Sequence, residues 1–278
     1  MEKTCHILGS TTRYWDFHTE KKKVIIAIHG FRGTHDGLMY IIKELPEFRI
    51  IIPDLPGFGD STPLSNISHT ADGYTSFLKE FIEKLRLPEP PILLGHSFGS
   101  IIVSRFARDN PDKLSQLILI NPIAKHGSSV LNIAGLAVVR TYYKVGTTLP
   151  EKTGRKLLSS RLISRLTTVS LAKTKEQYLR NRSHKEHLTH FSRFHSRNAL
   201  SEAFRSSINE SVGEHATHIP HRTLLIAGNK DAIVPPKTQY QLQKHFPNAT
   251  LHVIEGVGHL VHYETPERAA EYIKNFLL

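Results

Sequence analysis

Six short runs rich in Val, Ile and Leu, each leading into Gly, Pro or Asp, set the tightest limit on what this chain can fold into. They are "VIIAIHG" (24–30), "RIIIPDLPG" (49–57), "PILLGHS" (91–97), "LILINP" (117–122), "TLLIAGNKD" (223–231) and "TLHVIEG" (250–256). Continuous apolar runs, unlike alternating ones, suit strands covered on both faces of a parallel sheet. Helix-length segments lie between them. "TADGYTSFLKEFIEKLRL" puts Tyr74, Phe77, Leu78, Phe81, Ile82 and Leu85 at three- and four-residue spacing, one apolar stripe. "PERAAEYIKNFLL" opens with Pro266 after Thr265, which predicts a helix start with a capping side chain and proline in the first turn. Alternating β and α units predict an α/β fold with a doubly wound sheet. Ligands bind such sheets at the carboxyl ends of the strands.

From about residue 125 to 220 the pattern changes. "SVLNIAGLAVVRTYYKVG" and "GRKLLSSRLISRLTTVSLAKTKEQYLRNR" read as helices, the latter with Leu158, Leu162, Leu166 and Val169 on one face. Residues 125–216 hold 16 Lys and Arg against 6 Asp and Glu, whereas the rest of the chain holds 20 against 19. Nearly all of the +11 net charge therefore belongs to one all-helical insertion. The expected division is an α/β core at 1–124, a helical cap at 125–218, and the core resumed at 219–278.

Composition narrows the setting. At 278 residues, with 39% hydrophobic and 22% charged residues, the chain can bury one full core as a soluble globular protein. A single cysteine, Cys5, excludes an internal disulfide and any multi-cysteine metal site, which fits a reducing compartment. The first residues lack the apolar run of a secretory signal, and "VLNIAGLAVV" (130–139) is too short to span a bilayer. The expected location is cytoplasmic.

Every informative motif falls at the carboxyl end of a predicted strand. Gly95-x-Ser97-x-Gly99 alone is weak, because such a match arises by chance in roughly one chain in ten of this length. Here it joins the strand at 91–94 to the helical segment "SIIVSRFARDNP". A sharp strand-to-helix turn needs small neighbours, lifts the serine hydroxyl above the sheet edge and sets the Phe98 amide at a helix N-terminus. A hydroxyl also needs a base to become a nucleophile. Of 18 histidines, His259 follows the last strand on a carboxyl-end loop, while His262 reads as loop-stabilising and His96 as structural. The base needs a carboxylate to hold its tautomer, and Asp231 closes the strand at 223–231. Asn121 occupies the other available position and cannot be an anion; Asp54 and Asp60 read as turn formers. An oxyanion would need donors, which the Phe98 amide and the Phe31 amide in "HGFRG" supply, with His29 bracing the loop. Arg32 is either a substrate contact or a solvated charge.

"HGFRG", "DLPGFGDS", "GHSFGS", "GNKDAIVP" and "GHLVHYETPERAAEYIKNFL" together resemble the α/β-hydrolase superfamily, and more narrowly its lid-bearing serine esterase and lipase-like branch. The resemblance covers about 5–123 and 222–278. It implies an eight-stranded, mostly parallel sheet, a helical cap over the site, and no metal or organic cofactor. It also implies Ser97 as nucleophile, His259 as general base, Asp231 as orienting acid, and Phe31 and Phe98 as oxyanion donors. The function expected is hydrolysis of a carboxylic ester on a small acyl substrate. The alternatives are carbon–carbon bond or thioester hydrolysis of an acidic substrate, or a ligand-binding receptor or scaffold with slow turnover. The basic cap is open to three readings: a solvated face, steering of anionic substrates, or peripheral contact with an anionic membrane through the amphipathic segment 155–173. No nucleic-acid partner is expected, since no recognition motif accompanies the charge.

Overall fold

The computed structural model describes residues 1–125 and 133–278. Its strands are β1 (Glu2–Ile7), β2 (Ser10–Phe17), β3 (Val24–Ile28), β4 (Arg49–Pro53), β5 (Ile92–His96), β6 (Leu117–Ile120), β7 (Thr223–Gly228) and β8 (Ala249–Ile254). They form one eight-stranded sheet in the order β1-β2-β4-β3-β5-β6-β7-β8. From β4 to β8 every pairing is parallel; β1 and β2 join antiparallel. All six apolar runs become strands.

The two antiparallel strands have a different pattern. "EKTCHI" and "STTRYWDF" hold no continuous apolar run: β1 is an edge whose residues alternate between exposed and partly buried, and β2 buries the polar Ser10, Thr12 and Asp16. Leu8 and Gly9, with φ of 48° and 79°, close the hairpin between them.

The continuous runs are explained by two cores. Ile26, Ile28, Leu93, Leu117, Leu119 and Leu225 point into one, and Ile25, Ala27, Ile92, Leu94, Ile118 and Ile226 into the other. Successive side chains on a strand leave on opposite faces, so a strand covered twice needs apolar residues at every position. Helices α1 (His35–Lys43) and α11 (Pro266–Leu277) cover one face; α2 (Ala71–Leu85), α3 (Phe98–Asp109) and α9 (Pro236–His245) cover the other. The predicted stripe of α2 is buried, from Tyr74 through Ile82. Pro266 opens α11 as expected, but Thr265 makes no side-chain cap bond there.

Between β6 and β7 the described chain is helical: α4 (Ile133–Thr148), α5 (Glu151–Leu158), α6 (Arg161–Leu171), α7 (Gln177–His190) and α8 (Arg197–Asn209). The apolar stretch at 130–139 and the helix expected from Ser129 begin outside the described residues. The amphipathic segment 155–173 is not one helix. It breaks at Ser159 and Ser160, and the Ser160 hydroxyl accepts the Ile163 amide to start α6. Leu158 consequently packs in the core, whereas Leu162, Leu166 and Val169 are exposed. Among the described residues no helix is long and apolar enough to cross a membrane.

Candidate active site

Ser97 is the single residue between β5 and α3, and its backbone has φ 51° and ψ −117°. A side-chain-bearing residue at positive φ costs on the order of 1–3 kcal/mol and persists only where the surroundings enforce it. Close backbone approach enforces it here. A Cβ on Gly99 would sit 2.3 Å from the Ile28 carbonyl oxygen, and one on Gly95 would sit 2.6 Å from that of Gly99. No other residue type fits at either position, so the turn is as tight as β3 and α3 allow. The Ser97 amide donates to the Ile120 carbonyl at 3.0 Å, fixing the turn to β6.

The hydroxyl meets His259. Ser97 Oγ lies 2.8 Å from His259 Nε2, and His259 Nδ1 lies 2.7 Å from Asp231 Oδ2. Asp231 sits in the turn after β7, and its Oδ1 accepts the Ile233 and Val234 amides at 2.7 and 2.9 Å. Burial pushes the Asp231 carboxyl up, but the His259 imidazole and those two amides outweigh it and hold the group below its ordinary value. An ionised Asp231 takes the Nδ1 proton as its hydrogen-bond donor. Nε2 is then free to accept from the Ser97 hydroxyl.

Two further residues shape this line: Asn121, read in the sequence only as unable to be an anion, and Glu264, which no motif marked. Asn121, after β6, donates Nδ2–H to Asp231 Oδ2 at 2.9 Å. It supports the carboxylate that its own position lacks. Glu264, in α10 (Val261–Glu264), accepts the Gly258 amide at 3.0 Å and the cap amides of Lys173 and Thr174 at 2.8 and 2.6 Å. The His259 amide donates to Leu171 at the end of α6 at 2.9 Å. The loop carrying His259 is thus tied to the cap by three backbone amides, those of Lys173, Thr174 and His259.

Behind His259 two neutral imidazoles are packed into the core. His96 Nε2 lies 3.3 Å from the His259 carbonyl, and the His96 and His262 ring centres are 4.2 Å apart. Burial, reinforced by the neighbouring His259, pushes His96 down to about 3, and burial holds His262 well below its ordinary value. The unfolded chain binds both protons near pH 6.5 and the native state does not, so stability is lost as pH falls through 6.5. Between pH 7.5 and 5.5 the pair should lower the unfolding free energy by about 3 kcal/mol. Urea unfolding at the two pH values, wild type against His96→Gln/His262→Gln, measures the pair's share, since His29, His187 and His215 are held low as well; equal pH dependence of the two proteins would show that these imidazoles are not held neutral.

The turn after β3 faces Ser97. His29 Nε2 accepts the Leu55 amide at 2.9 Å, so Nδ1 carries the proton and donates to the Gly30 carbonyl at 2.9 Å. Phe31 packs its ring against Phe58, Tyr143 and Phe204. Neither the Phe31 nor the Phe98 amide has a hydrogen-bond acceptor among the described residues. Phe98 opens α3, where the helix dipole favours negative charge.

Arg32 is not a solvated charge: it is 5% exposed. Its Nε donates to the Phe191 carbonyl at 2.9 Å, and Nη2 donates to the Phe191 and Leu158 carbonyls at 2.6 Å each. Those carbonyls end α7 and α5, so two helix C-termini compensate the guanidinium. Its Cζ also stands 3.4 Å from the Phe191 ring centre. Replacing Arg32 with Met should lower stability by roughly 2–3 kcal/mol, because the Phe31 turn loses its brace. Thermal and urea melts read the effect, and a wild-type stability would contradict the brace.

The remaining acids have structural partners. Asp54 is buried and accepts the His35 and Asp60 amides at 2.7 and 2.8 Å. Asp60 pairs with Arg193 of the cap at 2.6 Å. Among the described residues no group of three or more His, Cys, Asp or Glu is placed to hold a metal ion.

Residues 23–266 match the family model described as alpha/beta hydrolase fold. The chain is 26% identical to human monoacylglycerol lipase ABHD6 over 267 residues, covering 92% of this chain and 75% of that protein. It is 27% identical to 2-hydroxymuconate semialdehyde hydrolase of Pseudomonas putida over 233 residues, covering 82% and 76%. A thermophilic esterase from Thermogutta terrifontis superposes with a TM-score of 0.79 at 22% identity, covering 100% of this chain and 98% of the esterase. With an eight-stranded, mostly parallel sheet and a family match over residues 23–266, the chain belongs to the alpha/beta hydrolase fold family.

Proposed function

We propose that this protein is a serine hydrolase of carboxylic esters acting through an acyl-enzyme on Ser97. The observation that carries the reading is the continuous hydrogen-bond line from Ser97 Oγ through His259 to Asp231, at 2.8 and 2.7 Å. Ser97 Oγ attacks the ester carbonyl while its proton passes to His259 Nε2. The carbonyl oxygen becomes an anion received by the Phe31 and Phe98 amides. The imidazolium protonates the departing alkoxide, leaving Ser97 acylated. Water, deprotonated by His259, then attacks the acyl carbon; the acid leaves and the proton returns to Ser97 Oγ. Asp231 stays ionised throughout and stabilises the imidazolium.

The lipase and esterase relatives support the ester over other acyl substrates. So does the aromatic wall of Phe31, Tyr143 and Phe204, with the last two rings stacked at 4.0 Å, which suits an apolar acyl chain. Similarity to a semialdehyde hydrolase keeps carbon–carbon cleavage of an acidic diketone as the second reading. Arg32 counts against it, since that buried cation is saturated by cap carbonyls. Turnover of p-nitrophenyl butyrate beside a 2-hydroxy-6-oxo-dienoic acid separates the two. Ester cleavage at least about a hundredfold faster in kcat/KM is expected, as for differential transition-state binding of a few kcal/mol; the reverse preference would overturn the ester reading.

A further inference from the structure

Helix α6 turns three of its apolar residues away from the protein. Ser164 and Thr168 face the protein, while Leu162, Leu166 and Val169, at i, i+4 and i+7, are 66%, 58% and 53% exposed. A cap helix ordinarily buries such a stripe. Rotation of α6 to hide it is blocked by its inward bonds. Thr168 Oγ1 lies 2.7 Å from His187 Nδ1, and the Leu171 carbonyl accepts the His259 amide at 2.9 Å. The stripe is therefore an outward-facing feature of the folded state, and a row of this kind marks an interaction surface.

Its surroundings are cationic. Arg161 and Arg165 lie along one border of the stripe, and Val169 opens at the other end into a cavity of about 290 Å³ lined by Lys173, Lys175, Arg180 and His184. Among the described residues none of these five Arg and Lys side chains has a carboxylate within ion-pair distance. His184 Nδ1 is shielded from solvent and has no hydrogen-bond partner among the described residues. Residues 152–185 hold ten Lys and Arg and one acid, Glu176. A soluble anion would account for the cavity but not for the leucines. An apolar protein partner would account for the leucines but not for the unpaired cations. A bilayer with anionic headgroups accounts for both, since apolar side chains enter the acyl boundary and cations meet phosphates at one depth.

We infer that the outer face of α6 and the adjoining basic cavity dock this protein on an anionic phospholipid bilayer, with a headgroup phosphate held by Lys173, Lys175 and Arg180. Docking does not depend on the hydrolase reading, although the docked face meets the His259 loop at Leu171 and Lys173.

The test is sedimentation of the full chain with vesicles of phosphatidylcholine alone or mixed with phosphatidylglycerol. Binding to the mixed vesicles only is expected. Leu162→Ser/Leu166→Ser should weaken it by about tenfold or more, and Lys175→Glu/Arg180→Glu by a similar factor, with melting temperatures confirming that both variants fold. The Ser97→Ala variant should sediment as the wild type does, so failure of docking and failure of ester turnover are read separately. Four results would overturn the inference: no binding, equal binding to neutral vesicles, wild-type binding by both variants, or calorimetric binding of inorganic phosphate without vesicle binding. A dimer by light scattering that Leu162→Ser/Leu166→Ser disperses would overturn it too, by assigning the stripe to a second copy of the chain.

Discussion

Replacing Ser97 with alanine is expected to lower kcat for a short p-nitrophenyl ester by about 10⁶-fold, equivalent to roughly 8 kcal/mol of transition-state stabilisation. The size follows from what the hydroxyl does. Without Ser97 Oγ no acyl-enzyme forms, His259 Nε2 loses the proton donor at 2.8 Å, and the imidazole–carboxylate pair has nothing to activate on that line. Residual rate would come from the Phe31 and Phe98 amides and from binding alone. Stability should not fall with it, since Ser97 holds a positive φ that its side chain does not relieve. Kinetics and a thermal melt on one preparation separate loss of chemistry from loss of fold. A variant within tenfold of wild type would mean that the nucleophile is elsewhere.

Asp231→Asn should cost about 10⁴-fold in kcat with the fold intact. The carboxylate is held as an anion by His259, Ile233 and Val234, and Asn121 Nδ2 already donates to it at 2.9 Å. An amide there has one acceptor oxygen for several donors, and its NH₂ group can meet His259 Nδ1 only by reversing the imidazole tautomer. Nε2 would then carry a proton toward Ser97 and could not act as its base. The pH–rate profile is the accompanying measurement: partial recovery as pH rises fits a lost tautomer, and wild-type kcat at neutral pH would contradict the role given to Asp231.

The sheet was legible because burial on both faces leaves a mark that survives without alignment. Ile25 and Ile26 feed opposite cores, so neither position tolerates polarity, and the run at 24–28 is continuous. The elbow was legible for a related reason: backbone contact at Gly95 and Gly99 admits one residue type. β1 and β2 were not, since an edge hairpin needs no continuous apolar run, and β2 turns the polar Ser10, Thr12 and Asp16 inward. The roles of Arg32, Asn121 and Glu264 were not legible because their partners lie 111 to 159, 110 and 90 or 91 residues away in sequence. A helix stripe says that residues share a face, not which way the face turns; the break at Ser159–Ser160 put Leu158 in the core and left Leu162 outside.

The central claim is that Ser97 is a nucleophile made reactive by His259 and Asp231, and covalent capture tests it without any assumption about substrate. A fluorophosphonate leaves its phosphonyl group on an activated serine oxygen as fluoride departs. Intact-mass and peptide mapping of the labelled protein should find one adduct, on Ser97, absent in Ser97→Ala and formed far more slowly in Asp231→Asn. An unlabelled protein, or an adduct on another serine that Ser97→Ala leaves in place, would contradict the account.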